Sequence, residues 1–326
     1  MKFKSMMTVL LTVLMVVVFT QAALADKTLK LKSADVVAIT SPYTLAMQNK
    51  FIPLVKEKTG GSIEVTHFPA GQLGSDSAIA EGIKLGTIDI GILGTIGSPA
   101  AEAMYLPFLF KSAEHQEKFM NSPMAEAIKK RIFDDSGLKV IGFAYFAPRQ
   151  LTANKKITSA ADLKGVKIRV PLIPPMVAAW KAMGASPTPI AFTELFSALQ
   201  QNIVIAQENP YEIILNNSFY EVQKYLMQTD HSIPVRFFVI NNGLWESLSP
   251  EQQQAINEAW QETGKEIKRL YMENDARYIE ELRKKNMEFV TVDRQSMMDA
   301  MKDVWKDYTP KVWGEGVYEK IQELNQ

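Results

Sequence analysis

Arg169 stands in a short, mostly apolar run, Val166-Lys167-Ile168-Arg169-Val170. Its planar guanidinium offers two parallel donors that match the two oxygens of a carboxylate, a geometry an ammonium group cannot copy. On a strand at this position the side chain either snorkels outward from a sheet edge or points into a cleft, and the run alone allows both. Asn209 opens a second constellation, Asn209-Pro210-Tyr211-Glu212. The spacing is that of a helix start, with Asn as cap, Pro at the first helical position and Glu three residues after the cap. Such an Asn can accept from the helix through its oxygen and still donate its NH₂ to an anion, which a helix N-terminus favours in any case.

Catalytic chemistry is sparse by comparison. His67, His115 and His231 are the only histidines, and no two of them stand at a metal-ligand spacing. The HExxH, GxSxG, P-loop and GxGxxG patterns do not occur. Gly71-Gln72-Leu73-Gly74 reads as a turn, without the lysine of a phosphate loop. Glu208 or Asp89 could act as a lone general base, but a single carboxylate at a strand end is far more often a cap or a packing group. The expectation is therefore recognition without catalysis, cofactor or metal.

The elements that must position these residues follow from the pattern of apolar runs. Strands are predicted at 29–39, 62–68, 88–93 and 138–145, alternating with helices at 43–58, 76–85 and 113–134, the last broken near Pro123. The second half repeats the plan, with strands at 166–170, 203–207 and 235–241 and helices at 174–183 and 193–201. Such alternation implies an α/β fold with mostly parallel sheets covered on both faces. Ser249-Pro250-Glu251-Gln252 is a capping-box start, and no Pro follows until Pro310. The helix it opens, about 35 residues, spans roughly 50 Å at 1.5 Å per residue, longer than one lobe. Its expected role is to tie two lobes together.

Composition limits the setting. Lys2 and Lys4, an apolar run from Met6 to Phe19 and the small-x-small site Ala23-Leu24-Ala25 have the layout of a signal peptide over residues 1–25, with cleavage before Asp26. The remaining chain carries 34 basic and 36 acidic residues, which gives no reason to expect a nucleic acid or an anionic membrane surface as partner. Cysteine is absent, so neither disulfides nor a lipid anchor on Cys is available. A secreted protein anchored to nothing is retained only by an outer membrane, and the expected compartment is the periplasm of a Gram-negative cell.

Several ordered segments then carry a resemblance. Lys164 to Pro171, Gly184 to Pro189, Ala191 to Gln200, Gln207-Glu208-Asn209-Pro210, Phe219 to Leu226 and His231 match the binding lobe of TRAP-transporter solute receptors, the DctP family. Phe68 to Asp76 and Gly86-Thr87-Ile88-Asp89 look like that family's first-lobe signatures. The resemblance implies a two-lobed periplasmic binding protein, closing on a small carboxylate as a monomer and delivering it to membrane permease subunits. It implies that Arg169 and Arg149 clamp the carboxylate, that Asn209 contacts it and that Phe192 packs on the ligand body. Tyr145 and Tyr211 join them as candidate ligand-binding residues. The implied division is lobe I over 26–147 with 235–274 returning to it, and lobe II over 148–234 with 275–326. One departure stands out: Val204-Ile205-Ala206 replaces the family's Val-Asp-Gly.

Ligand class is an inference of a different kind. The first-lobe stretches Ile92 to Ser98 and Val36 to Tyr43 contain no charged residue. An unpaired buried hydroxyl costs about 1–3 kcal/mol, so such walls suit a carboxylate with an apolar or aromatic body. A 2-oxo acid, an aryl-acetate or an apolar amino acid is the expected ligand. A C4-dicarboxylate or a sugar acid such as a hexuronate is the alternative, and Arg236 is the residue that would reverse the order by pointing into the cleft. A secreted two-lobed enzyme is the alternative of another class.

Overall fold

The computed structural model describes residues 28–325, so the signal-peptide segment lies outside the described residues. Eleven strands form two sheets. β1 (Leu29–Ala34), β2 (Ile63–Phe68), β3 (Ile90–Leu93), β4 (Lys139–Tyr145) and β10 (Val235–Ile240) build the first, in the order β2-β1-β3-β10-β4. β5 (Arg149–Ala153), β6 (Lys167–Val170), β7 (Ser186–Pro189), β8 (Ala206–Asn209), β9 (Tyr225–Ser232) and β11 (Glu288–Thr291) build the second, in the order β11-β9-β5-β8-β6-β7. Each sheet, with its helices, is one lobe of the expected two-lobed α/β architecture.

Neither sheet is wholly parallel, and the exceptions share one cause. β10 is antiparallel to β3 and β4, and β5 is antiparallel to β8 and β9. Each of these two strands is the first one entered after the chain crosses between lobes, at 146–148 and at 233–234. A chain arriving from the other lobe enters a sheet where its parallel strands end, so it must run against them. The interlobe cleft is thus faced by the C-terminal ends of parallel strands, where ligands of open α/β sheets bind, and by the first residues of β5 and β10.

The long helix runs over Pro250–Lys284. Ser249 Oγ accepts from Gln252 N at 3.2 Å while Gln252 Oε1 accepts from Ser249 N at 3.0 Å, which completes the capping box. Its first half packs on the first lobe, where Trp260 stacks on Phe238 with centroids 3.8 Å apart. Gly142 is required beneath that ring, because a Cβ there would lie 1.9 Å from Trp260 Nε1. Further along the helix, Tyr271 Oη donates to Glu212 Oε2 of the second lobe at 3.0 Å.

The tail differs from the expected division. The helix Arg294–Trp313 packs on the second-lobe helix Pro174–Ala182. It also returns to the first lobe, where Trp305 Nε1 donates to Pro107 O at 2.8 Å and Trp313 Nε1 to Ala100 O at 2.9 Å. His115 Nε2 then donates to Ile321 O at 2.6 Å. The C-terminal segment therefore straps both lobes: its two indoles donate to first-lobe carbonyls, and its Ile321 carbonyl accepts from the first-lobe His115.

Candidate functional site

A cleft with about 580 Å³ of empty space, the open solvent at its mouth included, lies between the lobes and is lined by both. Arg149 enters it as the first residue of β5, immediately after the crossing. Its Nε donates to Glu208 Oε2 on the adjacent strand β8, and its Nη2 donates to Glu208 Oε1 at 2.8 Å and to Glu208 O at 2.6 Å. His231 Nε2 donates to the same carboxylate at 3.0 Å, with its Nδ1 2.8 Å from Thr229 Oγ1. Burial pushes the Glu208 carboxyl up, but Arg149 and His231 outweigh it and hold the group at about 2. Glu208 is therefore a permanent anion and Arg149 a neutralised cation.

Arg169 has no such counter-ion. It is buried on β6, donates Nε to Ile190 O at 2.9 Å, and makes no side-chain ion pair among the described residues. Burial draws its guanidinium down to about 10, which leaves it charged at neutral pH. Its Nη groups are the donors left for an incoming anion. Asn209 stands beside it at the end of β8, where the expected cap is corrected. Asn209 pairs with Gln150 as a strand residue, so Pro210 takes the cap position and no side-chain cap bond forms. Asn209 Nδ2 instead donates to Gln207 Oε1 at 2.6 Å, and Gln207 Nε2 donates to Thr152 Oγ1 at 2.8 Å. This chain of amides fixes the orientation of Asn209 toward the cleft.

The first-lobe wall corrects the expectation of an uncharged surface. Asp76, at the start of the helix Asp76–Leu85, and Arg236, the second residue of β10, both line the cleft. Arg236 Nη2 donates to Ile92 O at 2.7 Å and lies 3.7 Å from Asp76 Oδ1. Thr95 Oγ1 donates to Asp76 Oδ2 at 3.3 Å. Asp76 Oδ1 and Arg236 Nε are buried without a hydrogen-bond partner among the described residues. Burial raises the Asp76 carboxyl, with Arg236 acting against it. Burial also pushes the Tyr105 hydroxyl to about 12, so it remains a donor. Gly94 lets these groups converge: a Cβ there would sit 2.9 Å from Tyr105 Oη and 3.3 Å from Asp76 Oδ2.

Four of the residues singled out in the sequence, Arg149, Arg169, Asn209 and Phe192, meet in the cleft. Phe192 forms part of the wall and contacts Phe219 edge-on at 6.3 Å. Tyr145 and Tyr211 do not line it. Successive residues at the end of β4 face opposite ways, so Phe146 turns to the cleft while Tyr145 packs edge-on against Tyr271. Tyr211 stacks on Phe289 and accepts from Gln228 Nε2 at 3.1 Å. Asp76, Thr95, Tyr105 and Phe146 escaped the sequence reading. Only Asp76 carried a local signal there, as the first residue of a well-capped helix.

The cleft is thus built from both lobes, with Arg149, Arg169 and Asn209 on one wall and Asp76 and Arg236 on the other. The profile of the bacterial extracellular solute-binding proteins, family 7 (DctP), matches residues 33–311. The chain belongs to the DctP family. A solute-binding protein of Roseobacter denitrificans is 38% identical over 258 residues, covering 78% of this chain and 79% of the relative. The crystal structure of a TRAP periplasmic solute-binding protein from that organism, with bound L-galactonate, superposes with a TM-score of 0.85 at 33% identity, covering 93% of this chain and all of that one. The 2,3-diketo-L-gulonate-binding periplasmic protein of Escherichia coli is 33% identical over 264 residues, covering 79% of this chain and 80% of the relative. A TRAP periplasmic solute-binding protein of Pseudomonas putida F1 with bound D-glucuronate gives a TM-score of 0.85 at 27% identity, over 90% of this chain and 97% of that one. This DctP protein is a TRAP-transporter solute-binding receptor for a small organic acid, as the resemblance implied. No helix among its described residues is long and apolar enough to cross a membrane.

Proposed function

We propose that this receptor captures a polyhydroxylated monocarboxylate, an aldonate or a uronate, in the periplasm and presents it to the membrane subunits of a TRAP transporter. The charges in the cleft carry the reading. Arg149 is neutralised by Glu208, and Arg236 stands beside Asp76, so among the described residues Arg169 is the cleft arginine without an ion-pair partner. That balance suits a ligand with a single carboxylate and a neutral remainder. Asp76 Oδ1 and Arg236 Nε, left in a buried wall without a hydrogen-bond partner among the described residues, are an acceptor and a donor for hydroxyl groups. The expectation of an apolar or aromatic body gives way to the sugar-acid alternative, because an apolar body would leave both groups unsatisfied at about 1–3 kcal/mol each. The ligands of the galactonate- and glucuronate-bound neighbours support the same class.

The test is calorimetric titration with L-galactonate and D-glucuronate against succinate and phenylpyruvate. One unsatisfied group is enough to separate the classes by about tenfold. Both sugar acids are expected to bind at least that much more tightly, and tighter binding of succinate or phenylpyruvate overturns the assignment.

A further inference from the structure

The signature turn Pro69-Ala70-Gly71-Gln72 lies outside the ligand cleft, and nothing in the binding scheme above uses it. It is held rigidly to the first lobe: Ala70 N donates to Val37 O at 2.8 Å and Gly71 N to Asp35 O at 3.0 Å. Asp35 is itself buried, accepting from Val37 N at 3.0 Å through Oδ1, with His67 Nε2 3.2 Å from its Oδ2. The turn therefore moves with the loop Val36–Val37 that forms part of the cleft wall. Across the gap stands Thr193 of the second lobe, in the short 3₁₀ turn Phe192–Glu194 that follows the cleft residue Ala191. Gly71 has φ +69°, and a Cβ on it would lie 3.0 Å from Thr193 Cγ2. That is well inside the 3.5–4.0 Å of an ordinary carbon–carbon contact. The two lips thus meet at a point where no chain crossing joins them.

We infer that Gly71 and Thr193 form the closing contact of the two lobes and set ligand affinity from outside the pocket. The ligand is held by Arg169 and Asn209 on one lobe and by Asp76 and Arg236 on the other. Any side chain that props the lips apart withdraws one wall from it. Glycine at position 71 is needed for this approach as well as for its turn, and the two needs can be separated. Gly61 has φ +82° with nothing within 4 Å of its would-be Cβ. Gly61→Ala therefore carries the backbone strain without the interlobe contact.

The experiment compares the parent, Gly71→Ala, Gly71→Ala with Thr193→Gly, and Gly61→Ala. The inference rests on the proposed ligand class only for the probes, L-galactonate and D-glucuronate. Lobe separation is read independently by spin labels on introduced Lys84→Cys and Gln200→Cys, one exposed position per lobe, in a chain without cysteine of its own. Gly71→Ala is expected to lengthen the label distance and to weaken binding at least tenfold. Adding Thr193→Gly should restore the parental label distance and bring affinity to within threefold of the parent, while Gly61→Ala changes neither. Parental distances in Gly71→Ala, or a loss that Thr193→Gly does not repair, overturn the inference. A parent that binds neither probe counts against the ligand class alone, and the label distances still decide the lip contact.

Discussion

Two arginines, one per lobe, arise from the same topological event and end in opposite states. Arg149 begins β5 just after one crossing, and Arg236 follows the other crossing by two residues. Both guanidiniums lie over Phe146, at 5.4 Å and 5.7 Å from its ring. Arg149 is forked onto Glu208, which His231 also grips. Arg236 is 3.7 Å from Asp76, and each of those two residues keeps a buried atom without a hydrogen-bond partner among the described residues. The Arg149 network is finished before the ligand arrives, and the Arg236–Asp76 pair is not. A completed network holds fixed the wall beside Arg169, whose free donors suit the part of the ligand that never varies, the carboxylate. Unsatisfied groups suit the part that distinguishes one acid from another, since the correct hydroxyls remove a cost that wrong ones leave in place.

Glu208→Gln tests the finished side and should have the largest effect. Removing one partner of a buried, hydrogen-bonded pair leaves Arg149 uncompensated, at a cost of about 3–5 kcal/mol. Denaturant unfolding should show a loss of that size with an unchanged m-value. A loss under 1 kcal/mol would mean that the network is not the rigid half of the comparison.

Asp76→Asn tests the unfinished side, where selectivity should move and the stability loss should be smaller than for Glu208→Gln, because Arg236 loses a 3.7 Å ion pair and not a hydrogen-bonded fork. The amide oxygen can still accept from Thr95, and the orphaned position loses no existing hydrogen bond. What changes is charge: Arg236 joins Arg169 as an uncompensated cation, and a cleft with two of these suits a dianion. Sugar-acid affinity should fall about tenfold, roughly 1.4 kcal/mol, while succinate affinity rises by a similar factor. Titration of both acids checks it, and a parallel fall in both would show Asp76 to be structural.

The contrast also explains what the sequence could and could not disclose. The helix Asp76–Leu85 and the start of the long helix were legible to the residue because those ends are local: Ser75 and Ser249 cap, and Gly86 closes the first in a left-handed conformation. β5 and β7 were not. β5 is buried at all five positions as a central strand, so it has no alternating pattern to read. β7 holds Pro187 and Pro189, which argue against a strand until it is known to be an edge. Arg149, Arg169 and Asn209 came from motifs in one lobe. Asp76 and Arg236 lie 160 residues apart in the chain and meet only because β10 inserts between β3 and β4, a pairing no local pattern encodes.

The smallest effect expected lies behind both arginines, where the lobes are joined rather than where the ligand binds. Glu212 is fully buried, accepts from Asn216 Nδ2 at 2.7 Å and is met by Tyr271 Oη of the long helix at 3.0 Å. Burial pushes its carboxyl up to about 7, against those hydrogen bonds and the more distant Arg236. The folded protein therefore keeps a proton on Glu212 that the unfolded chain, with an ordinary carboxyl near 4.3, has already lost. Between those values the folded state binds more protons than the unfolded one, so Glu212 makes stability fall as pH rises. The slope approaches ~1.4 kcal/mol per pH unit for one group, and neighbouring titrations should leave about 1 kcal/mol between pH 5.5 and 6.5. Glu212→Gln keeps the shape of the protonated acid and cannot ionise. Its unfolding free energy, subtracted from that of the parent across this interval, should show the parent losing about 1 kcal/mol more. The difference should vanish below pH 4, where both states carry the proton. A flat difference from pH 4 to 7.5 would mean that Glu212 is ionised throughout, with Arg236 turned inward as its counter-ion. The first-lobe arginine would then be as occupied as its second-lobe counterpart, and the contrast between the two walls would fail.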